Sequence, residues 1–502
     1  MCGIFFTRTE SQIDSEKQFQ KLKHRGPDAS QFIKKKLSNY YVTAGFHRLA
    51  INDLSDSGIQ PFKYKQSLML CNGEIYNHKE LTQQYDLPVK TGSDCEVIIY
   101  LYHKFGFHRT MKLLDGVFAL VIYDYSKDVL LLGRDLIGVR PLYYCVNNCD
   151  VYVASEAKCL QEFPGEIKQL PGKSIFYMKK NKQYISNYDS FPKIEKTPVN
   201  VSEDIKSILE SAIDKRLLSD REIGCFLSGG VDSSIVAAVL QRKTSKKLKT
   251  FSIGFEGSID LKYARKVAEH IQSDHYEYIM TPQEAIAKIP EVIEMIETND
   301  ITTIRASVGM YILSEYISKN FKEVVIFSGE GSDELLAGYL YFHHAPSGQE
   351  LFQETLNLVN DLPKYDVLRA DRSTASHGLE LRVPFLDKKM VKYCLSLSGD
   401  IRKPVNGMEK YYLRKAFEGY IPEEVLWRRK DGFSDGVSND QKPWYAIIQE
   451  HLHQEGKTGI EVETEYYEQI YKQFYRHTTI QKFWLPKWIQ TGNDPSGRLV
   501  EV

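Results

Sequence analysis

The 502-residue chain has almost no net charge, with 65 lysines and arginines against 66 aspartates and glutamates. That balance argues against nucleic acid or an acidic membrane surface as the main partner. The basic clusters at 34–36 and 428–430 are short enough to be solvated faces. Long hydrophobic runs are missing too. None approaches the ~18 residues of a membrane span, and GVFALVIY at 116–123 has the length of a strand. The opening MCGIFF lacks a basic n-region, so no secretory signal is expected. Cysteine is scarce. Eight in 502 residues make no disulfide scaffold, and the neighbours Cys145, Cys149 and Cys159 fit no zinc spacing. The other five lie in or beside apolar runs or at the start of the chain. Repeats and low-complexity tracts are also absent. What remains is expected to be a reduced, soluble, cytoplasmic protein of enzyme size. Its 42% hydrophobic content is that of a folded chain, and its length calls for two or three domains.

The first ~190 residues hold short β-branched and aromatic runs separated by Gly, Pro and Asn turns. Strands are expected at 40–46, 67–73, 116–124, 128–135 and 150–156. One helix is expected over 93–106, with Ser93 as N-cap and Glu96 closing a capping box. This half reads as layered α+β with much antiparallel sheet. The polar stretch 189–204 carries two prolines and reads as a linker. Beyond it strands alternate with amphipathic helices. In LKYARKVAEHI, Leu261, Ala264, Val267, Ala268 and Ile271 share one helical face. That alternation implies a parallel sheet with covered faces, whose ligands sit at the C-terminal strand ends.

Cys2 is an odd residue for a chain terminus, because cysteine is usually buried and termini usually are not. If Met1 is trimmed, thiol and α-amine stand on one residue. An amine with a pKa of roughly 7.7–8.0 can then serve as the thiol's own base.

In the second half LSGGVDSS (227–234) is the sharpest signal. An apolar strand runs into Ser228-Gly229-Gly230, and a helix begins near Asp232. Backbone N–H groups in such a turn, with the helix N-terminus behind them, cradle an anion. No Gly-Lys-Ser/Thr follows, so this is not the P-loop of nucleotide triphosphatases. SGEGSDE (328–334) closes another strand in the same style, and Glu330, Asp333 and Glu334 set carboxylates beside the expected phosphates. Mg²⁺ suits that pairing, since it takes one or two carboxylates plus substrate oxygens. WRRKDGFSDGV (427–437) contributes cations, among them Lys430.

Together these strings resemble the glutamine-hydrolysing asparagine synthetase family over nearly the whole chain. The resemblance is carried by Cys2-Gly3-Ile4, HRGPD, RLAI, NGEIYNH, TGSDCEVI, GRDLIGVRPLYY, SGGVDSS, TTIRAS, SGEGSDELLAGYLYFH, ELRVPFLDKK and NDPSGR. It implies an N-terminal Ntn-hydrolase-like αββα glutaminase domain over 1–192. A doubly wound parallel α/β synthetase domain, of the ATP pyrophosphatase type, would span 193–502. Cys2 would attack the amide of glutamine, with Asn72 and Gly73 forming the oxyanion hole. Arg48, Leu49, Ala50, Ile51, Asn52, Glu74 and Asp94 would surround that glutamine, Arg48 and Asp94 meeting its two charges. ATP would lie against Leu227, Ser228, Gly229, Gly230, Asp232, Ser233, Ser234, Ile253, Ser328 and Gly329. Asp232 and Asp333 would sit near Mg²⁺, Glu330 would deprotonate the attacking ammonia, and Lys430 would offset charge on departing pyrophosphate. An internal ammonia passage and a homodimer follow from the same resemblance. Three departures stand out: Asn52 where an aliphatic residue is usual, Ala337 where glycine is common, and a shortened stretch after Val437.

Overall fold

The computed structural model describes residues 1–194, 200–429, 437–438, 442–476 and 485–489. Its first part contains two antiparallel sheets. The strands are β1 (Gly3–Thr9), β2 (Ala29–Lys36), β3 (Tyr41–Arg48), β4 (Phe62–Tyr64), β5 (Ser67–Ile75) and β6 (Gly116–Asp124). After them come β7 (Val129–Arg134), β8 (Tyr143–Asn147), β9 (Asp150–Ala154), β10 (Ile167–Gln169), β11 (Ser174–Lys179) and β12 (Lys182–Asn187). One sheet has the order β10-β8-β9-β1-β3-β2 and the other β12-β11-β7-β6-β5-β4.

Successive residues of a strand point to opposite faces, and both faces are covered here. Ile4 and Phe6 of β1 meet Val121 and Tyr123 of β6 between the sheets. Phe5 points the other way, onto Phe19 and Leu22 beneath the short helix Glu16–Gln20. Phe118, Leu120 and Ile122 of β6 likewise pack under the helices Val97–Phe105 and Phe107–Leu113. This is the expected αββα sandwich, and it explains why β1 and β6 read as continuous apolar runs. The capping box does not form. Ser93 makes no side-chain cap, and Asp94–Glu96 is a 3-10 turn before the helix. Glu96 instead accepts hydrogen bonds from Thr91 N–H and Oγ1 at 2.8 and 2.7 Å and from Tyr100 Oη at 2.8 Å.

The stretch 189–204 is only partly a linker. Its last residues enter the helix Val201–Lys215, capped by the Asn200 side chain, because Val201, Ile205, Leu209 and Ile213 form a buried stripe. Five strands then pair in parallel: β13 (Glu222–Phe226), β14 (Lys249–Gly254), β15 (Asp274–Ile279), β16 (Glu323–Phe327) and β17 (Glu380–Arg382). Their order is β15-β14-β13-β16-β17, so the winding reverses between β13 and β16. Loops leaving the sheet at such a switch point splay apart and open a crevice. Both presumed anion loops, 228–230 and 328–331, leave from these two strands. In the helix Ile259–Ile271 the predicted face is buried at Leu261, Ala264, Val267 and Ala268, with Ile271 half-buried. The helix Val231–Lys243 is buried continuously from Ser233 to Leu240, so it shows no amphipathic stripe. Ala337 adopts φ 52° at the end of the helix Ser332–Leu336. Glycine is favoured at that spot because a Cβ is strained in the left-handed region.

The two parts share an apolar seam. Met1, Leu49, Ile51, Ile137 and Val139 join the core of the parallel sheet. Buried ion pairs cross beside it: Arg25 Nη1 lies 2.9 Å from Asp371 and Arg372 Nη1 lies 3.5 Å from Glu156. Within the two parts, Arg25 also pairs with Glu156 at 2.7 Å and Arg372 with Glu297 at 2.9 Å. His24 sits 3.2 Å from Glu156, and burial, opposed by that carboxylate, pushes its imidazole down to about 4. Burial also takes His47 and His377 to about 4. Between pH 6.5 and 4 the unfolded chain therefore binds protons at these three sites that the folded chain refuses. Stability falls as pH drops through that window, because a depressed imidazole pKa contributes nothing above it, where both states are neutral, and costs stability once the unfolded chain alone takes the proton. Urea midpoints measured at pH 7, 6 and 5 should decline in that order; a flat profile would contradict neutral burial of these rings.

Candidate active sites

Cys2 immediately precedes β1, and the pairing of Gly3 with His47 sets it beside the Arg48–Asn52 segment. Its Sγ accepts from the Leu49 N–H at 3.4 Å, and Arg25 Nε donates to its carbonyl at 3.0 Å. Burial pushes the thiol up, opposed by the terminal ammonium and the Leu49 N–H. Met1 is buried beside it, and its amine donates to the Leu379 carbonyl at 3.2 Å. Burial drives that amine down to about 5. With Met1 in place, however, the amine does not belong to Cys2.

Asn72, Gly73 and Glu74 follow one another on β5 of the facing sheet. Asn72 is fully buried, yet neither its Nδ2 nor its Oδ1 has a hydrogen-bond partner. An orphaned buried amide costs about 1–3 kcal/mol, which marks it as a group held ready for something else. Gly73 has φ 156°, and a Cβ there would come within 2.2 Å of the Val117 carbonyl oxygen. No side chain fits. Asn52 Nδ2 donates to Glu74 Oε2, so the unusual Asn52 makes a polar contact inside the expected pocket. Burial, then Asp94 and Glu380, push the Glu74 carboxyl well above the usual range. Asp94 Oδ2 accepts from the Ile75 N–H at 2.6 Å, and Arg48 donates to the carbonyls of Asp53 and Ser55. Both expected charge partners thus already brace the pocket wall. Ala50 N–H donates to Asp28 at 2.8 Å, and Arg221 from the second part donates to the Ala50 carbonyl, also at 2.8 Å. This ties Leu49, Ala50 and Ile51 to the seam.

A cavity of ≈ 240 Å³ opens at the switch point of the parallel sheet. Leu227, Ser228, Gly230, Asp232, Ser233, Ile253, Ser328, Gly329, Glu330 and Asp333 line it, all of them expected from the sequence. Gly229 and Ser234 do not line it. Gly229, at φ 75°, shapes the turn, and a Cβ there would strike the backbone of the Ile259–Ile271 helix. Ser234 is buried in the helix behind. Ser233 Oγ and Ser228 Oγ lie 3.0 Å apart, and Ser332 Oγ donates to Asp232 at 2.7 Å, so the two loops are joined. Glu330 Oε2 accepts from Arg369 Nη2 at 2.9 Å, and Arg369 also bonds Asp366 at 2.8 Å. Lys430 lies outside the described residues.

Several lining residues escaped the sequence reading. Arg369 and Asp366 come from a helix (Asp366–Ala375) with no glycine loop to announce it, and Arg414 also faces the cavity, whereas Glu334 lines it as its loop led one to expect. The cluster at 428–430 is not simply a solvated face. Arg428 and Arg429 line the cavity, and Arg428 Nη2 pairs with Asp260 at 3.2 Å. Thr302 and Thr303 of the TTIRAS string line it too, while Arg305 turns away into a pair with the buried Glu463. A lysine, Lys410, stands 2.5 Å from Asp232 and 2.6 Å from Asp333. Those two carboxylates converge on one cationic spot, as an Mg²⁺ pair should, but the charge between them is an ammonium. Among the described residues no group of three or more His, Cys, Asp or Glu side chains could hold a metal, and no helix is long and apolar enough to cross a membrane.

Comparison with known proteins agrees with this geometry. The asparagine synthase family matches residues 204–361 and 347–490, and the glutamine amidotransferase domain matches 1–209. The glutamine-hydrolysing asparagine synthetase of Gallus gallus is 41% identical over 100% of this chain and 99% of its own length. That of Homo sapiens is 42% identical over 95% of this chain and 94% of its own. A solved glutamine phosphoribosylpyrophosphate amidotransferase from B. subtilis aligns over 65% of the chain with 13% identity and a TM-score of 0.34, too distant to add weight. Two matched regions spanning nearly the whole chain, and identity above 40% from end to end, place it in the family of glutamine-hydrolysing asparagine synthetases.

Proposed function

We propose that this chain makes L-asparagine, L-glutamate, AMP and diphosphate from L-aspartate, L-glutamine, ATP and water. The observation that carries this reading is the cavity at the switch point, which gathers two anion loops and the Glu330–Arg369 pair. We place the glutaminase in residues 1–192 and the synthetase in 193–502. Trimmed of Met1, the Cys2 thiolate attacks the glutamine carboxamide, ammonia leaves and a thioester forms, and water then hydrolyses the thioester to release glutamate and free the thiol. Asn72 Nδ2 and the Gly73 N–H take the developing oxyanion. Arg48 and Asp94 meet the α-carboxylate and α-ammonium of glutamine, with Leu49, Ala50, Ile51, Asn52 and Glu74 around them. Removing Met1 opens space beside Cys2 at the seam, where a passage for ammonia would start.

In the second part the aspartate side-chain carboxylate attacks the α-phosphorus of ATP, and diphosphate leaves. The ester so formed, β-aspartyl-AMP, has the good leaving group that a carboxylate lacks. Leu227 and Ile253 border the adenosine, and the backbone at Ser328 and Gly329 approaches it. Ser228, Gly230 and Ser233 build the phosphate cradle, with Gly229 shaping its turn and Ser234 in the helix behind. Ammonia attacks the activated carbonyl, Glu330 takes its proton, and AMP departs; Lys430 balances charge on diphosphate. Asp232 and Asp333 would hold Mg²⁺ together with phosphate oxygens, and the ion would neutralise phosphate charge. We propose the cytoplasm as its location and a homodimer as its assembly.

The deciding assay follows asparagine and diphosphate together in purified protein given glutamine, ATP and Mg²⁺, with and without aspartate. Equal, aspartate-dependent release of both supports the reaction. Glutamate release that ignores aspartate would move the acceptor elsewhere. For Asn72→Ala, glutamate release should fall by about 10²–10³-fold, the usual loss for one oxyanion donor. Synthesis from added ammonia should persist, and undiminished glutamate release would remove Asn72 from the oxyanion hole.

A further inference from the structure

Lys410 lies in a stretch, MEKYYLRKAF, with no sequence signal of a site, yet the fold spends several features on placing it. Its side chain is 1% exposed. Its backbone has φ 54°, in the left-handed region that a residue with a Cβ seldom occupies without being held there. Holding contacts are present on both sides. The preceding Glu409 pairs with His343 at 2.5 Å, and Arg414 Nε donates to the Glu409 carbonyl at 2.8 Å. Opposite, Gly338 leaves room: a Cβ there would lie 2.0 Å from Lys410 Cε and 2.2 Å from Asp333 Oδ1. The ammonium reaches Asp232, from the first anion loop, and Asp333, from the second. Ser332 bridges the same two loops through Asp232 Oδ1. One cation therefore clamps the two sides of the crevice.

From this geometry we propose that Lys410 is the resident counter-ion of the Asp232–Asp333 pair whenever ATP is not bound. It makes the pair unavailable to a divalent ion alone, so that Mg²⁺ enters only with the phosphates. The proposal rests on the assignment of this cavity to ATP. Two carboxylates and one ammonium leave a single net negative charge, against a divalent ion that gives up hydration reluctantly. The phosphates supply the additional oxygens and charge that would make metal binding favourable.

Mn²⁺, read by the loss of its free-ion electron paramagnetic resonance signal, serves as the probe on the full-length protein without nucleotide at pH 8. Wild type should hold no ion tighter than about 1 mM. Lys410→Met should gain one site at least about tenfold tighter, because a positive charge has left contact with the carboxylates. Adding Asp333→Asn to that variant should remove the site. Two results would overturn the proposal. One is a wild-type site without nucleotide that Asp232→Asn or Asp333→Asn abolishes. The other is a Lys410→Met protein that melts like wild type but gains no ion. Should Lys410→Met fail to fold, the wild-type titration with its two aspartate variants still decides. Binding of α,β-methylene-ATP with Mg²⁺, followed by calorimetry, separately tests the nucleotide assignment, and its failure would not be mistaken for a failure of the lysine clamp.

Discussion

Cys2→Ala should abolish asparagine formation from glutamine while synthesis from free ammonia continues. Loss of a covalent nucleophile typically lowers turnover by a factor on the order of 10⁴ or more. Here the loss is confined to one half of the molecule, because Cys2 touches the Leu49 backbone and Arg25, whereas the ATP cavity is lined by residues from 226 onward. The substitution removes a sulfur at a half-buried position, so the fold should persist. The terminal amine offers a second route to the same phenotype. An uncleaved N-terminal tag leaves the thiol intact but denies it an amine on its own residue, and should also silence glutamine use alone. The measurement is glutamate and asparagine release with each nitrogen source. Equal loss from glutamine and from ammonia would refute the division of labour between the two sites.

Glu330→Ala should stop asparagine formation from either nitrogen source, by about 10²–10⁴-fold, the usual contribution of a positioned base. Its carboxylate lines the cavity from the second anion loop, held by Arg369 at 2.9 Å. The guanidinium of Arg369 holds the carboxylate in place, which a base awaiting an ammonium proton needs. Activation of aspartate comes earlier in the sequence of steps. The variant should therefore still exchange labelled diphosphate into ATP when aspartate is present, even as amide formation fails. That split separates a base from a residue that merely shapes the cavity. Unimpaired synthesis in Glu330→Ala would eliminate the role outright, and loss of exchange together with synthesis would make Glu330 part of substrate binding.

Local pattern was enough for much of this molecule. Strands β5, β6, β7 and β9 lie where apolar runs between turns put them, and the SGGVDSS and SGEGSDE loops lead from strands into helices as read. Such features depend on neighbours in the chain, so a sequence displays them. Misreadings arose where a residue had two local options and a distant partner chose. Ser93 and Glu96 have the spacing of a capping box, but Glu96 is taken by Thr91 and Tyr100. Arg428 has the look of a solvated charge until Asp260 meets it.

By itself, then, the sequence determined the layered and parallel halves, the candidate nucleophile and the two anion loops, since each is written in residues close together along the chain. Tertiary structure alone decided that both loops flank one switch point, that Arg369 holds Glu330, and that Lys410 stands between Asp232 and Asp333. Those pairings join residues 39 to 178 positions apart. Strand order and helix packing bring them together, and no local periodicity encodes either. The orphaned amide of Asn72 belongs with them, because only the packing of two sheets around it shows that nothing else in the described protein satisfies it.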